Sequence, residues 1–297
     1  MKILINRKPV EGPWGGGNHF IKAFFKYGEK RGHQIVSSLQ PEIDAIFIHD
    51  PRYDELGISI NEAIQYKREN SKVKIFQRIN ECDDRKGTTD VDPLLNECSK
   101  YIDHTFFVSH WMKNYHEFKG WKCKKTTVLI NGVDRSIFKK NKKIENGKIN
   151  LVTHHWSNNY LKGFDIYESL DDYVGTNKDF TFTYIGRHRD TFKNSRIVSP
   201  LFGNALGEEL GKYDVYISAS RFDPGPNHIL ESLACEIPTL SLKIGGGACE
   251  FTSEQNTYKN FSELVQILES KNFDYSSGVE LRSWKECMDQ CFKEIEC

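Results

Sequence analysis

The chain has 297 residues, with 41 basic and 41 acidic side chains and a net charge of zero, which gives room for two domains of ordinary size. Its 38% hydrophobic content supports a core, but there is no run of about eighteen apolar residues to cross a membrane. The N-terminus turns polar by Asn6, too early for a signal peptide, and the eight cysteines are scattered without a CxxC pair, so reduced thiols and a cytoplasmic setting are the expectation.

In chain order, short apolar runs at residues 2–6, 45–49, 74–78, 105–109 and 127–130 read as strands, with helical periodicity at 18–30 and 58–68. A second series follows at 150–153, 180–185, 215–219 and 239–242. Hydrophobic strands joined by helical crossovers imply parallel sheets covered on both faces. The charged, apolar-poor stretch 139–147 is read as a linker, dividing the chain into an N-terminal domain at 1–143 and a C-terminal domain at 144–275. In such open α/β sheets the ligand cleft lies at the carboxyl ends of the strands. Cys287, Cys291 and Cys297 fall in a final helical segment and read as packing residues.

Charge is unevenly placed. Residues 1–145 carry 26 basic and 19 acidic side chains, and much of the excess lies between Lys113 and Lys143, interleaved with Trp111, Tyr115, Phe118 and Trp121. A basic aromatic surface suits an anionic membrane, an acidic glycan or nucleic acid, whereas a solvated helix and flexible linker would use the same residues. Peripheral membrane contact is the reading retained, and nucleic acid is not expected.

The densest chemistry lies in Asp223-Pro-Gly-Pro-Asn-His-Ile-Leu-Glu231, where two carboxylates stand eight positions apart across a bend and a helix start. A carboxylate accepts two hydroxyl hydrogen bonds, so the pair can hold a ribose diol and a hexose hydroxyl together. Glu231 is expected about two turns into the helix. The N–H groups of Gly225, Asn227 and His228 open that helix, where a diphosphate is favoured.

This segment resembles the E-x7-E element of retaining glycosyltransferases of family 4, with Asp in place of the first Glu. The loop Gly15-Gly16-Gly17, the run 107–113 followed by Ile130-Asn-Gly-Val-Asp134, and Lys162-Gly163 agree in order and spacing, so the resemblance spans nearly the whole chain. It implies a GT-B fold: two Rossmann-like parallel-sheet domains facing a cleft, with residues 276–297, including Trp284, returning to the first domain as a last helix. It also implies a nucleotide-sugar donor (a UDP- or GDP-sugar), a glycan or lipid-linked acceptor, and retention without a cofactor or metal. Asp223, Lys162, Arg78 and Asn80 are the expected catalytic residues. The donor is expected against Gly16, Gly17, Lys162, Arg187, Gly225, Asn227, His228 and Glu231.

Each assignment has a chemical reason. A leaving nucleoside diphosphate gathers negative charge, which the Lys162 ammonium stabilises, and Arg187 replaces an arginine that relatives carry just before the lysine. Gly16 and Gly17 let backbone approach a ligand at a helix start; read instead as G-x-G-x-x-G, the third glycine falls on Phe20, which disfavours a dinucleotide site. Arg78, Asn80 and Asp83 gather at the end of a strand on the acceptor side, where relatives place a histidine absent from that loop here. Adjacent His154 and His155 on a strand point to opposite faces, a poor metal site. Gly245-Gly246-Gly247 resembles the loop that admits a sugar ring. Glu236 stands where a glycine usually ends the helix, at a cost of about 1 kcal/mol. A non-catalytic nucleotide-sugar or glycan-binding module, and an isomerase or hydrolase of sugar nucleotides, remain alternatives.

Overall fold

The computed structural model describes residues 1–12, 15–52, 57–189 and 192–297, so Pro13 and Trp14 of the N-terminal glycine loop lie outside the described residues. The chain divides into two compact units: Met1–Gly132 with Trp284–Cys297, and Val133–Ser283.

The first unit holds six parallel strands, β1 (Lys2–Ile5), β2 (Gln34–Val36), β3 (Ala45–Ile48), β4 (Lys74–Ile79), β5 (His104–Phe107) and β6 (Thr126–Val128), in the order β2-β1-β3-β4-β5-β6. Between them run helices α1 (Gly16–Lys30), α2 (Ile60–Glu69), α3 (Asp83–Lys86), α4 (Val91–Cys98) and α5 (His110–Phe118). The second unit repeats the plan with β7 (Ile149–His155), β8 (Phe180–Gly186), β9 (Arg196–Val198), β10 (Val215–Ser218), β11 (Thr239–Leu242) and β12 (Thr257–Tyr258), in the parallel order β12-β11-β10-β7-β8-β9. Its helices are α6 (Phe164–Thr176), α7 (Gly203–Leu210), α8 (Asn227–Ala234), α9 (Gly247–Phe251) and α10 (Phe261–Ser270). The edge strands β2, β9 and β12 are two or three residues long, too short to leave an alternating pattern in the sequence.

A final helix, α11 (Trp284–Glu296), belongs to the first unit. Its buried face of Cys287, Met288, Cys291, Phe292 and Ile295 repeats at helical spacing and joins the core formed by Ile3, Phe47, Phe76 and Phe106 of the sheet and Phe20 and Phe24 of α1. Phe24 and Phe292 meet with ring centroids 4.7 Å apart. A Cβ at Gly28 would lie 2.8 Å from the Phe292 ring, so glycine there admits the helix.

The change of unit after Gly132 falls ahead of the linker expected at 139–147. Residues 133–144 already bond along the second unit, with Val133 N–H donating to the Arg282 carbonyl at 2.8 Å, Asn141 N–H to Gly211 at 3.1 Å and Ile144 N–H to Lys212 at 3.2 Å. Gly207 makes the approach possible, since a Cβ there would lie 2.2 Å from the Ile137 carbonyl oxygen. Such contacts are backbone to backbone and satisfy polar groups without apolar residues, so composition does not reveal them. Residues after 276 likewise stay with the second unit until Trp284, through Gly278 N–H to the Phe251 carbonyl at 3.0 Å.

Candidate functional site

In an open parallel sheet, ligands bind beyond the carboxyl ends of the strands where the strand order reverses. In the second unit that point lies between β7 and β10. From β7 come Thr153, His154 and His155; from β10 the chain runs through Ser218 into Asp223 and the start of α8.

Asp223 is fixed by its backbone. Its N–H donates to the Gly245 carbonyl at 2.9 Å and its carbonyl accepts from Gly247 N–H at 2.8 Å. Gly246 has φ +72, and a Cβ there would lie 2.8 Å from the Asp223 carbonyl oxygen, so only glycine fits between them. Phe222, just before, is held at φ +51, a strained conformation for a bulky residue.

Lys162 ends a 3-10 turn, Tyr160–Lys162, whose first amides are ordered by the Asn159 side chain. Gly163 follows at φ +95, where a Cβ would lie 2.3 Å from the Ala219 carbonyl oxygen. Arg221 ties this turn to the β10 segment: its N–H donates to the Leu161 carbonyl at 2.9 Å, and its guanidinium binds Asp165 through two bonds of 2.8 and 2.7 Å. The Arg221 guanidinium holds the Asp165 carboxyl below its ordinary pKa, against the opposing effect of burial. The Lys162 ammonium then donates to Asp223 Oδ2 at 2.8 Å, with both side chains about nine-tenths buried.

Helix α8 starts only at Asn227, because Pro224 and Pro226 keep the bend extended, and its N-cap, Pro226, supplies no side-chain cap. Glu231 is therefore one turn into the helix rather than two. It is 8% exposed, and its Oε2 lies 2.8 Å from His154 Nε2. A carboxylate only accepts, so the hydrogen is on Nε2. His155 turns to the opposite face, bonding the Tyr167 hydroxyl at 2.7 Å, while His228 Nε2 meets Ser218 Oγ at 2.9 Å, both buried.

The first unit reverses its strand order between β1 and β3. Gly16 and Gly17 open α1 there, after a loop closed by two hydrogen bonds between Asn18 and the Val10 backbone, 2.8 and 2.7 Å long. His49 follows β3, and a Cβ at Gly17 would lie 2.8 Å from its Nε2. Burial, with the nearby Arg78 cation, lowers the His49 pKa to about 3. Arg78 is 3% exposed, donates to Asn131 Oδ1 at 2.8 Å and stacks on Phe20 with 4.4 Å to the ring centroid. Burial brings its pKa down to about 10, which leaves it a cation at neutral pH. His49, Asp50, Arg78, Asn80 and Glu81 line a small cavity of about 40 Å³. Its two carboxylates are already tied to Arg52, at 2.9 and 2.7 Å. Among the described residues no group of three or more His, Cys, Asp or Glu forms a metal site, and no helix is long and apolar enough to cross a membrane.

No protein-family model matches this chain, and no curated protein sequence does. Solved structures match it over its whole length. Anabaena Alr3699/HepE in complex with UDP-glucose aligns over 100% of this chain and 99% of its own, at a TM-score of 0.73 and 12% identity. Sucrose-phosphate synthase from Thermosynechococcus elongatus aligns over 99% and 98%, at 0.70 and 11%. The lipopolysaccharide outer core galactosyltransferase WaaB, in its apo form, aligns over 93% and 92%, at 0.65 and 13%. The fold is GT-B.

Within this GT-B chain, Lys162 meets Asp223, and Gly225, Asn227, His228 and Glu231 follow on the same bend and helix. Arg187 is exposed and lies over the Trp156 ring, 4.1 Å from its centroid. Gly17, Arg78 and Asn80 share the β1/β3 end of the first unit, whereas Asp83 accepts hydrogen bonds from Thr88 and from the Val91 and Asp92 amides that open α4. That carboxylate caps a helix.

Two contacts escaped the sequence reading. His49, at the end of the neighbouring strand β3, adjoins Gly17, and His154 is bound to Glu231 across 77 positions. The first was legible from strand order, since the ends of β1 and β3 must adjoin at a reversal; the second carries no local signal.

Proposed function

We propose that this chain is a retaining, metal-independent hexosyltransferase that takes a nucleotide sugar, a UDP- or GDP-sugar, as donor and a glycan or lipid-linked hydroxyl as acceptor. The observation that carries the proposal is the buried Lys162–Asp223 pair beside the α8 N-terminus and Glu231, at the β7/β10 reversal. Glu231 binds the ribose hydroxyls and Asp223 the transferred sugar. Lys162 has three N–H donors, so it can keep Asp223 and still reach a diphosphate, as can the α8 amides. As the bond between the anomeric carbon and the diphosphate oxygen breaks, the acceptor oxygen bonds to that carbon and its proton passes to the leaving phosphate. Lys162 stabilises the charge released. Arg78 and Asn80 serve the acceptor side, and Gly16 and Gly17 border the donor at the cleft rim. UDP and UDP-glucose in the Anabaena HepE complexes support this donor class.

Phe118 is 94% exposed at the end of α5, near Lys122 and Lys124, and supports peripheral contact with an anionic bilayer. Sedimentation with phosphatidylserine vesicles, reduced in Phe118→Ser, tests that part.

A second reading has one observation in its favour. Asp223 is a methylene shorter than glutamate and already engaged by Lys162, which would suit a module that binds a sugar nucleotide without transferring it. Incubating UDP-glucose, UDP-galactose and GDP-mannose with hydroxyl acceptors, with and without EDTA, separates the two. Acceptor-dependent nucleotide release that persists in EDTA, with the donor's anomeric configuration kept in the product, supports transfer. Nucleotide binding without release supports the module.

A further inference from the structure

Glu231 is held by an imidazole. His154 Nε2 donates to Oε2 at 2.8 Å, with both side chains about nine-tenths buried. Its other ring nitrogen, Nδ1, is buried without a hydrogen-bond partner, so the ring has a single polar task. The ring is set by its surroundings. His154 N–H donates to the Tyr216 hydroxyl at 3.1 Å, and the Tyr216 and His228 rings pack edge-on at 5.5 and 6.2 Å. Tyr216 is itself buried on β10 and His228 opens α8, so the imidazole packs between strand and helix. Among the described residues no other hydrogen bond or ion pair engages the Glu231 carboxylate, which leaves Oε1 for a ligand.

A glutamate on a helix has three rotatable bonds, and a diol demands both of its hydrogen bonds in one geometry. Fixing one oxygen removes that freedom before the ligand arrives. Resting on the donor reading above, we propose that His154 is a positioning residue that orients Glu231 toward a ribose diol and thereby makes the site select ribonucleotides over their 2′-deoxy counterparts.

The test is titration calorimetry of UDP, GDP and ADP, each beside its 2′-deoxy form, on the wild type, His154→Phe, His154→Gln and Glu231→Gln. The phenyl ring keeps the aromatic packing and removes the donor, while glutamine keeps an N–H. A hydrogen bond to a charged group corresponds to about tenfold or more in affinity, so the wild type should prefer the ribonucleotide by that factor. In His154→Phe the ribonucleotide should weaken to the level of the deoxy form, with the deoxy affinity changed by less than about twofold. Glutamine should restore a good part of the preference. Combining His154→Phe with Glu231→Gln should cost no more than either alone, because the two act as a unit. A His154→Phe protein that weakens both forms equally and keeps its preference would overturn the inference and leave a packing role. Failure of every nucleotide to bind the folded wild type would overturn the donor reading itself. Unfolding midpoints run in parallel, and the glutamine variant carries the test if phenylalanine unfolds the chain.

Discussion

Lys162 and Asp223, 61 positions apart, meet at 2.8 Å with little access to water, so the cation and the carboxylate of the site neutralise each other. Replacing Lys162 by Met removes the ammonium that faces the buried Asp223 carboxylate. The expected loss is about 3 kcal/mol in urea unfolding, and most of it should return in the Lys162→Met, Asp223→Leu double variant, in which neither charge is left uncompensated. Both variants should lose donor binding, which separates their effect on folding from their effect on the site.

Gly17 leaves the space that His49 fills. Gly17→Ala puts a methyl group 2.8 Å from Nε2, so the buried imidazole must move by some tenths of an ångström. Displacement of an acceptor-side group on this scale should lower kcat/KM by about 10²-fold. Initial rates at saturating donor against a series of acceptor concentrations check this; an unaltered rate would remove His49 from the acceptor side.

The same histidine gives a pH signature. Its pKa is about 3 when folded and about 6.5 when unfolded, so between these values the unfolded chain holds the extra proton. Its stabilisation is complete above about pH 6.5 and falls with acidification toward pH 3, at up to about 1.4 kcal/mol per pH unit. His104, whose pKa burial lowers to about 4, adds to the same trend. In denaturant titrations from pH 7 to 4, His49→Gln should reduce the slope by roughly one proton's share and leave the rest.

Strand alternation and the two carboxylates were legible because both are local. Runs such as Ala45–Ile48 and Val215–Ser218 are wholly buried and read as continuous apolar strands. The pairing of His154 with Glu231 and the capping of α4 by Asp83 are settled by three-dimensional neighbours, so a carboxylate after a strand looked alike in both cases. The two compact units divide at Gly132 rather than near Lys143 for a related reason. Lysines at 139–143 suggest solvent, yet Asn141 and Ile144 bond to the backbone after α7.

Glu236, fully outside the donor site, sits at φ +56 just past α8, with its N–H bonded to the Leu233 carbonyl at 3.0 Å. The left-handed position that glycine ordinarily takes is thus occupied by an exposed glutamate. Glu236→Gly should raise the unfolding free energy by about 1 kcal/mol while nucleotide affinity stays the same. Thermal melts of the two proteins decide it.

Helix α11 has a consequence for how the protein is made. The six strands of the first unit are complete by Val128, but the helix that covers Phe24 is separated from them by the whole of Val133–Ser283. At ribosomal rates that interval is on the order of ten seconds, during which an apolar face of α1 stands open. Ribosomes that stall before Trp284 therefore release a chain with an uncovered aromatic face, the kind of species that chaperones hold and proteases remove.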